Sequence, residues 1–354
     1  MKKTFVAILV IGLFSSHTMF FKLDTYFLEP NTAVALQLFN GTFEKSENII
    51  TRDRMLDASI LSNGLRIKVT DAQWTEKDSV TLLNFKTGKA GTYVAGVSTK
   101  ARSLEMSAES FNDYLEHEGI YDMLEWRKKN YALESKAIEK YSKHVKTIFQ
   151  VGDTTTDDWQ TALDYPIEFI PVENPYELHT GDSLTIKLLL NGKPLANQLV
   201  YADYKAYENS RAHDNSESHS HDTEENNASL KHTHKDDVES HTHKPEENKE
   251  SHTHTSGQKL RTNAEGIVKA HLSADGIWYF QTIHLVKTEE EGLTHESNWS
   301  TLTFEVTHAH GADTHTHEHQ HESNYTTYIF IIGSLVLIGI LFLCFNKKNK
   351  DAEH

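Results

Sequence analysis

The sequence predicts a mainly β protein with two β-sandwich domains, each immunoglobulin- or transthyretin-like. Two observations carry this prediction: short stretches with period-2 alternation, and turn residues at their ends. Residues 34–38 alternate apolar with small or polar side chains before an Asn40-Gly41 turn. Similar stretches follow at 65–70, 79–85 and 92–98. Strands that recur at this spacing are typical of an antiparallel sandwich, here residues 17–104.

The same alternation returns after residue 141 and predicts a second sandwich at residues 141–306. Asn191-Gly192 and Asp275-Gly276 supply the turn chemistry of β-hairpins. The predicted strands are 146–151, 184–190, 199–204, 266–272, 277–286 and 302–306. Residues 205–259 have a different composition from the rest of this domain, so they are predicted to be an insertion.

A short helical segment, residues 105–140, is predicted between the sandwiches. Its apolar residues recur at helical spacing, at positions 111, 114 and 115 and again at 120, 121 and 124. Ser107 suits the N-cap position, and Gly119 divides the segment into two helices. His117-Glu118 lacks the second histidine of a metalloprotease helix, so the acidic residues here are predicted to lie on a solvated face.

The two ends of the chain predict export and anchoring. Lys2 and Lys3 precede an apolar stretch, residues 5–14, which is typical of a signal peptide. Residues 328–345 carry no charge, are long enough to span a membrane, and precede three lysines. We therefore predict a single-pass protein of the cell inner membrane with most of its chain in the periplasm. The predicted parts are a signal peptide (1–16), a stalk (307–327), a transmembrane helix (328–345) and a cytoplasmic tail (346–354).

Composition narrows the possible partners and activities. The formal net charge of −16 disfavours nucleic acid and anionic lipid as partners and favours cations. The single cysteine, Cys344, lies inside the predicted membrane segment, so the exported part has no internal disulfide. The sequence shows no nucleophile elbow, P-loop or zinc-protease pattern, and the protein is predicted not to be an enzyme.

Histidine is concentrated in two tracts. Residues 205–259 hold nine of the 23 histidines, with twelve acidic residues and few large apolar side chains. Such a segment cannot bury enough surface to offset its ordering entropy, so a disordered loop is predicted. A second tract fills the predicted stalk. Both tracts consist mainly of His-x-His units, such as His219-Ser-His221 and His308-Ala-His310.

The His-x-His spacing predicts metal binding. In an extended chain, residues i and i+2 point to the same side, so each unit offers two imidazoles to one ion. Neutral imidazole is a ligand for Zn²⁺, Cu²⁺ and Ni²⁺, and its pKa of about 6.5 keeps it mostly neutral at about pH 7. The alternative is that the tracts are spacers that bind metal only in a test tube.

We predict a divalent transition metal (nickel, cobalt, zinc or copper) as the cofactor. Two candidate ligands lie outside the tracts. His17 stands beside the predicted mature N-terminus, where the α-amine and the imidazole can chelate together; alternatively, it is removed with the signal peptide. His284 lies in a predicted strand, where a satisfied core histidine is the alternative. The predicted metal ligands are His17, His219, His221, His232, His234, His241, His243, His252, His254, His284, His308, His310, His315, His317, His319 and His321.

Several stretches carry a resemblance to a known family. They are His17-Thr-Met-Phe-Phe-Lys-Leu-Asp-Thr-Tyr-Phe-Leu-Glu-Pro-Asn, Leu38-Phe-Asn-Gly-Thr-Phe, Ile170-Pro-Val-Glu-Asn-Pro-Tyr-Glu-Leu-His-Thr-Gly-Asp-Ser-Leu, Leu190-Asn-Gly-Lys-Pro-Leu-Ala, Thr262-Asn-Ala-Glu-Gly and Gly276-Ile-Trp-Tyr. Through them residues 17–286 resemble the DUF4198 family, whose members are also described as periplasmic components of cobalt/nickel transport systems. The resemblance implies an exported β-sandwich protein connected with uptake of nickel, cobalt or a related ion. It also implies His17 as a candidate ligand. The His-rich insertion and the C-terminal anchor depart from a plain soluble member.

The predicted function is that of an exported, membrane-anchored metal-binding protein that assists nickel/cobalt, or zinc, uptake by delivering ions to a membrane transporter. One alternative is a periplasmic metal buffer or tolerance protein. Another is an adhesion or polymer-binding β-sandwich module, which would function without either tract. Growth assays separate the first two, because an uptake protein matters when metal is scarce and a buffer when it is in excess.

Overall fold

Strands make up most of the regular structure. The computed structural model describes residues 18–206 and 257–308. The strands of this part are β1 (Thr18–Lys22), β2 (Phe27–Leu28), β3 (Ala33–Gly41), β4 (Met55–Ser62), β5 (Leu65–Lys68), β6 (Trp74–Lys77), β7 (Val80–Lys86), β8 (Gly91–Thr99), β9 (Arg102–Met106), β10 (Ala137–Val151), β11 (Ile167–Pro171), β12 (Ser183–Leu190), β13 (Lys193–Pro194), β14 (Leu199–Lys205), β15 (Gln258–Arg261), β16 (Ile267–His271), β17 (Gly276–Lys287) and β18 (His295–Val306). Two helices, α1 (Ala108–His117) and α2 (Tyr121–Lys129), lie between β9 and β10 in the chain. The prediction of a mainly β protein is confirmed.

The described strands form three sheets. The N-terminal sheet has the order β1-β3-β7-β6, and the C-terminal sheet consists of β11, β12, β13 and β16. The central sheet has ten strands, in the order β15-β14-β17-β18-β10-β8-β4-β5, with β2 and β9 also paired to β10. Its strands come from both of the predicted sandwich domains.

The long strand β10 joins the two halves of the central sheet. On one edge it pairs in parallel with β18, from Glu139 opposite His295 to Thr147 opposite Thr303. On the other edge it pairs antiparallel with β9 and β8. A parallel pair needs a long connection between its strands, and the chain between β10 and β18 supplies it. This pairing differs from the purely antiparallel arrangement that turn spacing predicts.

Both faces of β8 and β10 are covered. On one face, Tyr93 and Phe149 belong to a core shared with the N-terminal sheet. On the other face, Val94 and Ile148 belong to a core shared with the C-terminal sheet. Alternate residues of a strand point to opposite faces, so neighbouring positions enter different cores. This is β-sandwich packing, and it buries residues 143–151 of β10 without interruption.

Two helices form within the predicted helical segment, and they pack against the central sheet. The Ser107 hydroxyl is the N-cap of α1 and accepts a hydrogen bond from the Ser110 N–H at 3.1 Å. Phe111 and Leu115 of α1 form a third core with Trp299 of β18. Gly119 has a φ of +68°, a left-handed conformation that glycine adopts without strain, and it turns the chain from α1 towards α2.

Several predicted parts fall outside the described residues. They are the signal peptide (1–16), nearly all of the insertion (205–259), the stalk beyond His308, the transmembrane helix (328–345) and the cytoplasmic tail (346–354). Within the described ranges, no helix is long and apolar enough to cross a membrane. The domain boundaries and the immunoglobulin- or transthyretin-like type of each sandwich stay predictions.

Candidate functional site

The two histidine tracts leave the described fold at one end of the central sheet. Lys205, the last residue of β14, pairs with Ile277 of β17, and Ile277 pairs in turn with Glu305 of β18. The insertion follows β14, and the stalk follows β18. Neighbouring strands lie about 4.8 Å apart, so two strand spacings separate these exits by about 10 Å.

The insertion also returns to the fold near this end. β15 pairs antiparallel with β14, with Gln258 opposite Ala202. Gly257 lies so close to β14 that a Cβ atom at this position would be 2.5 Å from the Ala202 carbonyl oxygen. Residues 207–256 therefore connect two adjacent strands, and both of their attachment points lie near the start of the stalk.

His308 is a predicted ligand that the structure describes. Its Nδ1 contacts Oδ2 of Asp275, and the other oxygen of that carboxylate accepts a hydrogen bond from Thr180 Oγ1 at 2.5 Å. The His308 side chain is 66% exposed. A carboxylate that contacts Nδ1 orients the imidazole ring and leaves Nε2 to act as the metal ligand. This is the usual arrangement around metal-binding histidines.

His284 is held differently. Its Nδ1 lies 2.9 Å from Gln198 Oε1, and the Gln198 amide donates to Thr282 Oγ1 at 3.0 Å. Burial lowers the pKa of His284, which keeps the ring neutral. His284 lies eight residues along β17 from Gly276, or roughly 27 Å at the usual rise of a strand. The structure therefore does not bring His284 together with His308, and His284 has the hydrogen bonding of a satisfied strand histidine.

The described residues contain no preformed metal cluster. Within residues 18–206 and 257–308, no three His, Cys, Asp or Glu side chains are grouped so that they could hold an ion. The other predicted ligands lie outside these ranges: His17, His219, His221, His232, His234, His241, His243, His252, His254, His310, His315, His317, His319 and His321. Metal binding by the tracts stays a prediction.

A small cavity lies between the α1–α2 turn and the central sheet. Its volume is about 60 Å³, and Thr18, Glu118, Lys143 and Trp299 are among its lining residues. This is room for a few water molecules, since about 10–15 Å³ holds one. Glu118 is only 3% exposed, and its buried Oε1 has no hydrogen-bond partner among the described residues.

The burial of Glu118 corrects the prediction of a solvated helix face. Glu118 is the C-cap of α1, directly before the left-handed Gly119, whose carbonyl oxygen accepts a hydrogen bond from Tyr201 Oη at 2.8 Å. This bond holds the end of α1 against β14. The turn therefore brings Glu118 to the sheet, whereas Glu116 stays exposed. Helical periodicity alone does not report where a helix ends against a neighbouring sheet.

Ionisable groups around the cavity have pKa values displaced towards neutrality. Burial raises the pKa of Glu118 to about 8 and that of Glu139 to about 7. Burial also lowers the pKa of Lys143 to about 8. Glu139 accepts hydrogen bonds from Tyr114 Oη at 3.2 Å and from Ser297 Oγ. Displaced pKa values beside a cavity are a recurrent feature of functional sites.

His144 also lines this cavity, in the interior of the fold. It is 2% exposed because both faces of β10 are covered. Its Nδ1 lies 2.9 Å from Ser98 Oγ, and its Nε2 lies 3.1 Å from Ser142 Oγ. Burial lowers its pKa to about 4, so the ring is neutral at physiological pH. Both ring nitrogens have partners, and His144 is therefore a structural group.

The family model of DUF4198, described as a domain of unknown function, matches residues 14–286. The chain belongs to the DUF4198 family. The match includes the N-terminal sheet, both helices and the insertion, and it ends one residue before the end of β17. Strand β18, with Trp299 and Glu305, lies beyond the matched region.

Two solved structures are similar to this DUF4198 chain at 10% sequence identity. The D0-D1 domain of intimin covers 81% of this chain and 96% of its own length, with a TM-score of 0.16. A Salmonella alpha-2-macroglobulin mutant covers 81% of this chain and 15% of its own length, with a TM-score of 0.19. TM-scores this low do not indicate a shared fold or a shared function. No curated protein matches the chain.

Proposed function

We propose that this DUF4198 protein is an exported, membrane-anchored protein that binds divalent transition metals and assists nickel/cobalt, or zinc, uptake. In this proposal it delivers ions to a membrane transporter. The common exit of the two histidine tracts supports the proposal most directly. Lys205 and Glu305 both pair with Ile277, so the insertion and the stalk start about 10 Å apart.

This short separation matters because a transition-metal ion is usually held by about four ligands. One His-x-His unit supplies two of them, so one unit from each tract completes a coordination shell. An ion collected by the insertion then reaches the stalk through shared ligands rather than through free solution. Acidic side chains in the insertion and Asp275 beside His308 attract cations to the same place.

The folded part serves as the support in this proposal. We infer two sandwiches of immunoglobulin or transthyretin type that share the central sheet. The proposed anchor, residues 328–345, places the stalk directly above the inner membrane, where the mouth of a transporter would lie. The direction of delivery is therefore from the insertion to the stalk and then to the transporter.

Whole-cell uptake tests this proposal. Cells that rely on the protein during nickel, cobalt or zinc scarcity are compared with cells in which His308, His310, His315, His317, His319 and His321 are all replaced by Asn. Delivery predicts that uptake falls while tolerance of excess metal is retained through the insertion. Substitution of the exposed His271 by Asn is the matched control and leaves uptake unchanged. Unchanged uptake with lost tolerance contradicts delivery and supports a metal buffer.

A further inference from the structure

An open groove lies beside β5, the edge strand of the central sheet that is farthest from the insertion. Its volume is about 390 Å³, which is within the usual size of ligand-binding sites. Leu65 and Ile67 line it from β5, and Phe85 lines it from β7. Leu65 and Ile67 are 61% and 55% exposed, although both are large and apolar. Adjacent exposed aliphatic side chains that line a groove indicate an interaction surface.

The pairing of β5 with β4 explains why the groove is apolar and open. Leu65 lies opposite Ser62, and Ile67 lies opposite Ile60, so these four side chains share one face of the central sheet. Ile60 packs against the core that this face shares with the N-terminal sheet. All four residues of β5 are exposed, so the N-terminal sheet does not cover this strand. The groove is therefore the place where the apolar interior of the sandwich becomes accessible.

The outer edge of β5 also offers backbone hydrogen-bonding groups. In the described part of the chain, β5 pairs with β4 and with no other strand. An edge strand directs the N–H and C=O groups of alternate residues outward, where an extended chain can pair with them. Recognition of this kind places alternate side chains of the added strand in a neighbouring pocket.

The charges around the groove favour an anionic partner. Its lining residues, all within the described ranges, include Lys68, Lys86 and Lys89 and no acidic residue. This local excess of cations contrasts with the formal net charge of −16 of the whole chain. Tyr93 Oη donates a hydrogen bond to the Lys89 carbonyl at 2.8 Å, which holds the loop that carries Lys89 beside the groove. Apolar walls and a cationic rim complement a chain that carries both apolar and acidic side chains.

We propose that the groove binds an extended acidic segment of another protein, which adds to the outer edge of β5 as a strand. Its apolar side chains contact Leu65 and Ile67, and its carboxylates lie close to Lys68, Lys86 and Lys89. This inference goes beyond metal uptake and does not depend on metal binding by the histidine tracts.

Three other occupants fit the groove less well. A fatty acid matches the charges, but small ligands are usually about 70–90% enclosed, whereas Leu65 and Ile67 leave the β5 side of the groove open. A second copy of this chain matches the strand edge, but pairing of two β5 strands brings the lysines of both copies together. The insertion is acidic, but it has few large apolar side chains to fill the groove.

The test measures peptide binding to the full chain in nanodiscs of neutral phosphatidylcholine. The probe is a fluorescent peptide, Glu-Val-Glu-Val-Glu-Val-Glu, and its anisotropy is followed at about pH 7. We expect saturable binding that weakens about tenfold or more when every Glu of the peptide is replaced by Lys. Raising the salt concentration from about 0.05 M to about 0.5 M is also expected to weaken binding, because salt screens the attraction between charges.

Backbone methylation distinguishes an added strand from an unspecific apolar contact. One probe is methylated on the backbone nitrogens of its valines, and a second probe on those of its glutamates. The N–H groups of alternate residues point to the same edge of a strand, so only one of these sets faces β5. One probe is therefore expected to lose binding and the other to keep it. Equal binding or equal loss contradicts strand addition.

Two variants connect binding with the groove. Ile67→Glu places a carboxylate in its apolar wall, and Lys86→Glu combined with Lys89→Glu reverses part of its rim. Each variant is expected to weaken binding about tenfold or more. Val286→Glu and Lys128→Glu change exposed positions outside the groove and are the matched controls, with binding unchanged. The double variant decides the matter if Ile67→Glu does not fold.

The other occupants give different results, and each of these results overturns the proposal. Binding of a fluorescent fatty acid without binding of the peptide assigns the groove to an anionic amphiphile. Self-association that Ile67→Glu abolishes, again without peptide binding, assigns the groove to a second copy of the chain. Peptide binding that appears only when a short linker replaces residues 207–256 assigns it to the insertion. Absence of any binding, or peptide binding that both groove variants retain, also overturns the proposal.

Discussion

Lys205 and Glu305 lie on either side of Ile277, one as the last residue of β14 and the other near the end of β18. Both positions are fixed by backbone pairing within the central sheet rather than by side chains. The starting points of the two histidine tracts are therefore fixed relative to each other by the fold.

The insertion should be dispensable for folding. Its ends attach to the paired strands β14 and β15, with Ala202 opposite Gln258, so a linker of about six Gly and Ser residues in place of 207–256 closes the same hairpin. Shortening a loop roughly eightfold lowers the entropic cost of bringing its two ends together. We therefore expect the free energy of unfolding to be unchanged or up to about 2 kcal/mol higher. Chemical denaturation measures this. A clear loss of stability would show that residues 207–256 support the fold.

The buried ion pair of Lys146 and Glu168 should be a strong stability determinant. Their side chains are 1% and 2% exposed, and Lys146 Nζ lies 3.1 Å from Glu168 Oε2. Replacing Glu168 by Gln leaves a buried ammonium without its counter-ion, which typically costs about 3–5 kcal/mol. Glu105→Gln breaks the exposed pair with Lys136 and serves as the control, with little expected effect. Denaturation curves that shift equally for the two variants would contradict this account.

Burial of His144 should contribute to acid sensitivity. Its pKa is lowered to about 4 in the folded chain, against about 6.5 when unfolded, so the unfolded state binds the proton first as the pH falls. The stability that the neutral, buried His144 contributes is fully present above about pH 6.5. Between about pH 6.5 and about pH 4 this part of the free energy of unfolding falls by up to about 1.4 kcal/mol per pH unit. The pH dependence of the unfolding midpoint should therefore be shallower in His144→Gln than in wild type, and unaltered in the exposed His271→Gln. Parallel curves for wild type and His144→Gln would show that His144 is not held neutral.

His284 should be irrelevant to metal binding. Its Nδ1 is 2.9 Å from Gln198 Oε1, and it lies roughly 27 Å along β17 from the tract exits. Replacement by Asn loses this hydrogen bond and should cost about 1 kcal/mol of stability. The number of metal ions bound should stay the same in a titration. A reduced number would place a second, ordered site on β17.

Individual strands were predictable from the sequence because their patterns are local. Residues 184, 186 and 188 of β12 alternate inward, and Ser107 and Gly119 carry the signals of a helix start and a helix end. Trp278 and Trp299 are buried, as is usual for large aromatic side chains within strands. Local patterns of this kind need no knowledge of which strand is the neighbour.

Strand partners were not predictable in the same way. The parallel pairing of His144 with Ser300 joins residues far apart in the chain, and no local pattern marks it. The covering of both faces of β10 follows from that pairing, and so does the burial of His144. Glu118 is buried because the end of α1 meets β14, which also depends on tertiary packing. The cavity that Glu118 and His144 line is therefore formed only in the folded chain.

The most direct test of metal binding by the tracts is calorimetric titration of the full chain in detergent at about pH 7 with Ni²⁺, Co²⁺, Zn²⁺ and Cu²⁺. It is run beside a variant in which the fifteen tract histidines, nine in residues 205–259 and six in the stalk, are replaced by Asn. The account predicts several bound ions per wild-type chain, released on acidification to about pH 5 as the imidazoles protonate, and no comparable binding in the variant. Equal binding by both proteins would contradict the account.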